Sequence, residues 1–218
     1  MTSDTAAGPV GGPAGGPVGG PVGDPVGDGD APCDRVVLTG FMGTGKSTVG
    51  ALVAQRLGWD VCDTDEIITE RHGPIADIFA AAGEEAFRAH EHEVAAELSE
   101  RRHVVVNTGG RLMLNHENSR QLGVDDAAVA AGAGATGGTR VFCLTADVEE
   151  IVRRLSVSDG GRGRPLLLDL GATPAEQKVG IRSFLRRREI GYGRFEQMPT
   201  DGLTPEQVAE EICRRCGF

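Results

Sequence analysis

Gly40-Phe41-Met42-Gly43-Thr44-Gly45-Lys46-Ser47 places glycines, a lysine and a hydroxyl in the spacing of a phosphate-cradling P-loop. In a glycine-rich chain the flanks decide whether that spacing has meaning. Arg35–Thr39 (Arg-Val-Val-Leu-Thr) is a short β-branched run that reads as a buried strand. Ser47–Leu57 repeats apolar residues at helical spacing through Val49, Leu52, Val53 and Leu57, and Gly58 closes it. Strand, glycine turn and helix in this order let successive backbone N–H groups converge on phosphate oxygens at a helix N-terminus. Gly43, Thr44, Gly45 and Thr48 would line such a cradle for ATP. Lys46 would neutralise the β- and γ-phosphates, and the Ser47 hydroxyl would ligate Mg²⁺.

The rest of the chain continues the alternation. Asp60–Cys62 reads as a second strand, Val104–Val106 as a third and Arg140–Leu144 as a fourth. Between them lie a helical region from Glu66 to about Arg101, interrupted near Gly73-Pro74 and Gly83, and a helix over Val148–Leu155. Strands alternating with helices call for an α/β fold, a parallel sheet with helices on both faces. Residues 33–218 have the size of one domain. Residues 1–32 are dominated by Gly, Pro and Val, bury too little apolar surface to offset ordering entropy, and read as a disordered tail. Asp125–Gly138 is an Ala/Gly-rich stretch expected as a surface insertion. Ser156–Gly171 sets Gly160, Gly161 and Gly163 around Arg162 and Arg164; composition alone favours a plain exposed loop, and a mobile lid over phosphates becomes the better reading only once a kinase is established.

Charge and cysteines narrow the function classes. A net charge of −10 gives no electrostatic footprint for nucleic acid or an anionic membrane. No apolar run approaches a bilayer span. Five scattered cysteines fit a reducing cytoplasm, and Cys213 and Cys216 read as ordinary thiols on a terminal helix.

Further along, Asp63-Thr64-Asp65 directly follows the second strand, at the sheet edge where parallel strands present a ligand crevice. One carboxylate there could hold a metal and the other face an acceptor; an aspartate before a helix is also a favoured N-cap. Arg88 fits either a binding role or a solvated helix face. Asn107-Thr108-Gly109-Gly110 ends the third strand with a double glycine that admits close approach of a ligand to the backbone. Arg186, Arg187, Arg188 and Arg194 bracket Tyr192 and suit an anion or a basic helix face.

Taken in order, these stretches resemble the shikimate kinases, small P-loop enzymes of aromatic amino-acid biosynthesis. The carriers are Gly-Phe-Met-Gly-Thr-Gly-Lys-Ser-Thr, Asp63-Thr64-Asp65, Ile75–Phe79, Gly83–Arg88, Thr108-Gly109-Gly110, Arg164–Leu167, and Arg188 ahead of Tyr192. The resemblance implies a three-layer, nucleoside-monophosphate-kinase-like fold with a five-stranded parallel sheet and a closing lid. It implies ATP and shikimate as substrates and Mg²⁺ as cofactor. Asp63 matches the family's metal aspartate and Asp65 its substrate-hydroxyl aspartate, a candidate base. Arg88 and Arg188 match the arginines that grip the acceptor carboxylate, with Gly109 and Gly110 beside them. Arg164 matches the lid arginine at the phosphates and Arg154 an adenine-packing arginine. Lys46, Asp65 and Arg164 are thus the expected catalytic set, in a monomer.

Two departures fall on the acceptor side. Arg111 stands where the family has a third glycine, and the approach to the tyrosine is Glu189-Ile190-Gly191-Tyr192-Gly193. Arg111 either adds a cation to the acceptor pocket or turns away to pair with Glu84 or Glu85. A kinase for another hydroxy acid, such as gluconate or quinate, and a non-catalytic nucleotide-binding regulator are the alternatives.

Overall fold

The computed structural model describes residues 33–124, 138–157 and 173–218. The tail 1–32, nearly all of the 125–138 insertion, and residues 158–171 of the expected lid, Arg164 among them, lie outside the described residues. Ser156 and Val157 continue the helix before them.

The chain opens with β1 (Arg35–Gly40), α1 (Lys46–Leu57), β2 (Asp60–Asp63), α2 (Thr64–His72) and α3 (Ile75–Ser99). There follow β3 (Val104–Asn107), a 3₁₀ turn (Leu112–Leu114), α4 (His116–Gln121) and β4 (Thr139–Thr145). α5 (Val148–Val157), α6 (Pro174–Tyr192), β5 (Glu196–Pro199) and α7 (Pro205–Arg215) complete the described residues. Five strands pair in the order β2-β3-β1-β4-β5, all parallel. The helical stretch after β2 divides at Gly73-Pro74, and α3 is kinked at Gly83, where φ is 79°.

Every residue of β1 is buried, as a central parallel strand requires. Its side chains alternate between two apolar layers. Val37 joins Val106, Ile68, Leu98 and Leu112 under α2, α3 and the 3₁₀ turn. Val36 and Leu38 join Val105, Val53 and Ile212 under α1 and α7. Each such side chain, removed from water, contributes roughly 1.5–3 kcal/mol. A third cluster, Phe41 with Ile151, Val152 and Ile181, fixes the loop after β1 against α5 and α6.

Register then sets the position of the functional edge. Leu38 pairs with Asn107, and Asn107 pairs with Asp63, so β1, β3 and β2 end together. β1 lies between β3 and β4, where the winding reverses, and that switch point opens a crevice at the carboxyl ends of the strands.

Candidate active site

The loop after β1 is drawn tight against β4. At Gly40, φ is +128°, and a Cβ there would sit 2.3 Å from the Leu144 carbonyl oxygen, so no other residue fits. The Thr44 hydroxyl donates to the Phe41 carbonyl at 2.8 Å and closes the turn. Lys46 Nζ donates to the carbonyls of Gly40 and Phe41 at 2.9 and 3.0 Å. No acidic residue occupies the first turn of α1, which leaves the positive end of the helix to an anion.

Ser47 and Asp63 meet in front of this loop, the Ser47 hydroxyl donating to Asp63 Oδ2 at 3.1 Å. The other carboxylate oxygen of Asp63 accepts from the Asp65 backbone N–H at 3.0 Å and caps α2. Asp63 is therefore a helix cap and a neighbour of Ser47 at once. A hydroxyl and a carboxylate oxygen so placed are the hard donors that Mg²⁺ prefers.

Across the crevice, Asp65 lies against the end of β3. A Cβ at Gly109 would come within 2.5 Å of Asp65 Oδ1 and 3.3 Å of Glu91 Oε1, so glycine here is what admits the two carboxylates. The Gly109 N–H donates to Thr64 Oγ1 at 2.9 Å and holds the strand end to α2. Arg88 reaches the same place from α3, donating to Glu91 at 2.5 Å and to Glu84 at 2.9 Å. Arg188 arrives from α6, 6% exposed, with its guanidinium over the rings of Phe41 and Phe184. It donates to the Gly110 carbonyl at 3.4 Å, and Tyr192 also donates to that carbonyl. Arg111 turns to Glu84 at 2.5 Å, the pairing that its departure from glycine left as one of two outcomes. The hydrogen bond from Arg88, helped by the nearby charges of Arg111 and Arg188, holds the Glu84 carboxyl below its usual range.

Glu91 is absent from the residues expected from sequence. It is 1% exposed, and burial pushes its carboxyl pKa up against the attraction of Arg88, with Asp65 adding to the rise. On a charged helix nothing local distinguishes it from its solvated neighbours; only its i+3 spacing from Arg88 hints at a partnership.

On the far side of the loop, Arg154 donates to Glu150 at 2.7 Å, to Thr200 Oγ1 at 3.0 Å, and to the carbonyls of Gly43 and Thr44 at 3.4 and 3.3 Å. An open pocket beside it is lined by Gly45, Thr48, Arg153, Thr200, Leu203 and Pro205. The Thr200–Pro205 wall carries no sequence signal beyond the start of α7. The described residues thus bring Lys46, Ser47 and Asp63 to one end of the crevice, Asp65, Arg88, Gly109, Gly110 and Arg188 to the other, and Arg154 to the outer pocket.

A five-stranded parallel sheet with a glycine loop opening α1 at its switch point, faced by carboxylates and arginines, defines a P-loop kinase of the nucleoside-monophosphate-kinase-like class. The family model for shikimate kinase matches residues 42–216. The chain belongs to the shikimate kinase family. It is 51% identical over 180 residues to a shikimate kinase of Thermosynechococcus vestitus, covering 81% of this chain and 86% of that one. A shikimate kinase of Thermodesulfovibrio yellowstonii is 37% identical over 181 residues, covering 82% and 92%. Among solved structures, a shikimate kinase from Acinetobacter baumannii in complex with shikimate superposes with a TM-score of 0.68 at 29% identity, over 84% of this chain and 92% of that one.

Proposed function

We propose that this chain transfers the γ-phosphoryl group of ATP to a hydroxyl of shikimate, and that the residues gathered in the crevice do so in the following roles. The observation that carries the reading is the convergence of Asp65, Gly109, Arg88 and Arg188 opposite Lys46. A carboxylate and two braced guanidiniums face a phosphate cradle, which suits an acceptor that is both hydroxylated and anionic.

The P-loop amides and the positive end of α1 hold the triphosphate, with Gly43, Thr44, Gly45 and Thr48 around it. Lys46, now bonded to loop carbonyls, moves to the phosphate oxygens and offsets charge on the transferred group. Arg154 packs beside the base in the outer pocket. Ser47 and Asp63 fit Mg²⁺, which supplies charge neutralisation and orientation of the phosphates when bound. On the acceptor side, Arg188 and Arg88 grip the carboxylate while Gly109 and Gly110 let the ring lie on backbone. Asp65 orients the attacking hydroxyl and takes its proton late, as expected where positioning and electrostatics carry phosphoryl transfer. Arg164 is assigned to the phosphates from the family resemblance alone.

The pairing of Arg111 with Glu84 favours shikimate over a more anionic acid, because it offsets the extra cation that this position introduces. Among the described residues no helix is long and apolar enough to cross a membrane. Five unbridged cysteines support action in the cytoplasm, and the chain is proposed to work as a monomer without nucleic acid. The test is ADP release coupled to shikimate, quinate and gluconate in turn. Turnover strongly preferring shikimate is expected; comparable turnover with another acid, or ATP hydrolysis indifferent to any acceptor, would refute the assignment.

A further inference from the structure

Where α2 meets α3, three side chains come together that the phosphate and acceptor groups do not use. His72 ends α2, and His90 and Glu93 lie one turn apart on α3. The two imidazole rings stack with centroids 3.6 Å apart and planes 14° apart. A Glu93 carboxylate oxygen lies 3.6 Å from His90 Nδ1. One donor atom from each of the three falls within 4.8 Å of the others.

His90 Nδ1 is shut off from solvent and has no hydrogen-bond partner. His92 makes the contrast. One of its ring nitrogens meets Asn118 Oδ1 at 2.9 Å and the other Gln121 Nε2 at 3.3 Å, as a histidine kept for structure should. Leaving a buried polar atom unmatched costs free energy unless something else supplies the partner.

Two imidazoles and a carboxylate are the nitrogen and oxygen donors of a borderline divalent ion, while Mg²⁺ prefers an all-oxygen shell. Zn–N distances of about 2.0–2.1 Å at tetrahedral angles require donors somewhat closer than the present spread. The stacked rings must also turn so that their in-plane lone pairs converge, and the exposure of His72 and Glu93 gives those two side chains room to move. We infer that His72, His90 and Glu93 form a site for a transition-metal ion of the Zn²⁺ class, with water in the fourth position. The ion would bridge the end of α2 to α3 across the Gly73-Pro74 turn. It would reinforce the link already made beside it by Arg71 and Glu97 at 2.7 Å, and stiffen the helix that carries Arg88.

The five free thiols are the competing ligands, so the experiment must separate them. Calorimetric titration of the untagged full chain with ZnCl₂, in chelator-free buffer containing Mg²⁺, should show one equivalent bound. Melting temperature should rise by several degrees at about a hundredfold excess over Kd. His90→Gln and His72→Gln should each weaken binding by at least about tenfold. The triple substitution Cys33→Ser, Cys213→Ser, Cys216→Ser should leave it unchanged. Co²⁺ loaded into the wild-type chain gives a readout independent of any variant: visible d–d bands of a nitrogen–oxygen site without a thiolate charge-transfer band. Absent binding, affinity unmoved in both histidine variants, binding lost with the cysteines, or a thiolate band would each overturn the assignment.

Discussion

Glu91 and Arg88 share one ion pair but respond to it differently. Burial opposes charge on both. For Arg88, Glu91 and Glu84 together outweigh burial and its pKa rises; Glu91 has Arg88 and the weaker pull of Arg111, with Asp65 close by, and burial prevails. A carboxyl with a raised folded-state pKa favours folding most when protonated, and that contribution fades as pH climbs through the raised value. Glu91→Gln removes the titration, so the melting temperature of the variant should gain on wild type as pH rises from the ordinary glutamate range through the raised value. If wild type gains instead, the ion pair outweighs its desolvation. The same substitution should raise acceptor KM more than ATP KM, because Arg88 loses the partner that orients it. For Arg111, the neutralising contact with Glu84, a carboxylate that Arg88 shares, leads to a mild expectation. Arg111→Gly should change shikimate kcat/KM by less than about tenfold, or ~1.4 kcal/mol. A gain of several orders of magnitude would show that the arginine obstructs the acceptor.

α7 begins with a reciprocal cap: Thr204 Oγ1 accepts from the Gln207 N–H at 3.3 Å, and Gln207 Oε1 accepts from the Thr204 N–H at 2.9 Å. Behind it, Val208, Ala209 and Ile212 pack on α1. Thr204→Ala should cost ~1 kcal/mol and lower Tm by about 2–4 °C in thermal melts, while acceptor KM stays near wild type. An unchanged Tm would mean that packing on α1 holds the helix without its cap. The P-loop and the double glycine after β3 are legible in sequence because their chemistry is local: a few adjacent residues specify the turn. β5 is not. Glu196-Gln197-Met198-Pro199 has neither alternation nor β-branched residues, and becomes a strand only because β4 offers it an edge. The five-stranded count therefore came from family resemblance, with four strands visible in the pattern. The same limit hid Glu91 and the Thr200–Pro205 wall, whose surroundings are assembled from distant segments. Asp63 lay between: cap and crevice residue were both foreseeable, and the structure gives it both positions.

The two apolar layers share one sheet, and β1 contributes side chains to each. Neither layer can lose its packing without exposing the strand that supports the other, so the domain should unfold in one step. Leu98→Ala on one face and Leu38→Ala on the other should each cost roughly 2–5 kcal/mol. Each should move a single calorimetric transition to lower temperature; two resolved transitions in either variant would show that the layers separate. The path of the chain through that sheet has a practical side. β1 enters at Arg35, at the edge away from Gly40 and the crevice, and Cys33 packs against the apolar layer to which Cys213 and Cys216 belong. The first and last described segments therefore meet at the back of the molecule. A tether to a bead, an electrode or a partner enzyme made through Cys33 or the carboxyl-terminal Phe218 would leave the crevice pointing outward, and one anchor could serve both ends of the domain.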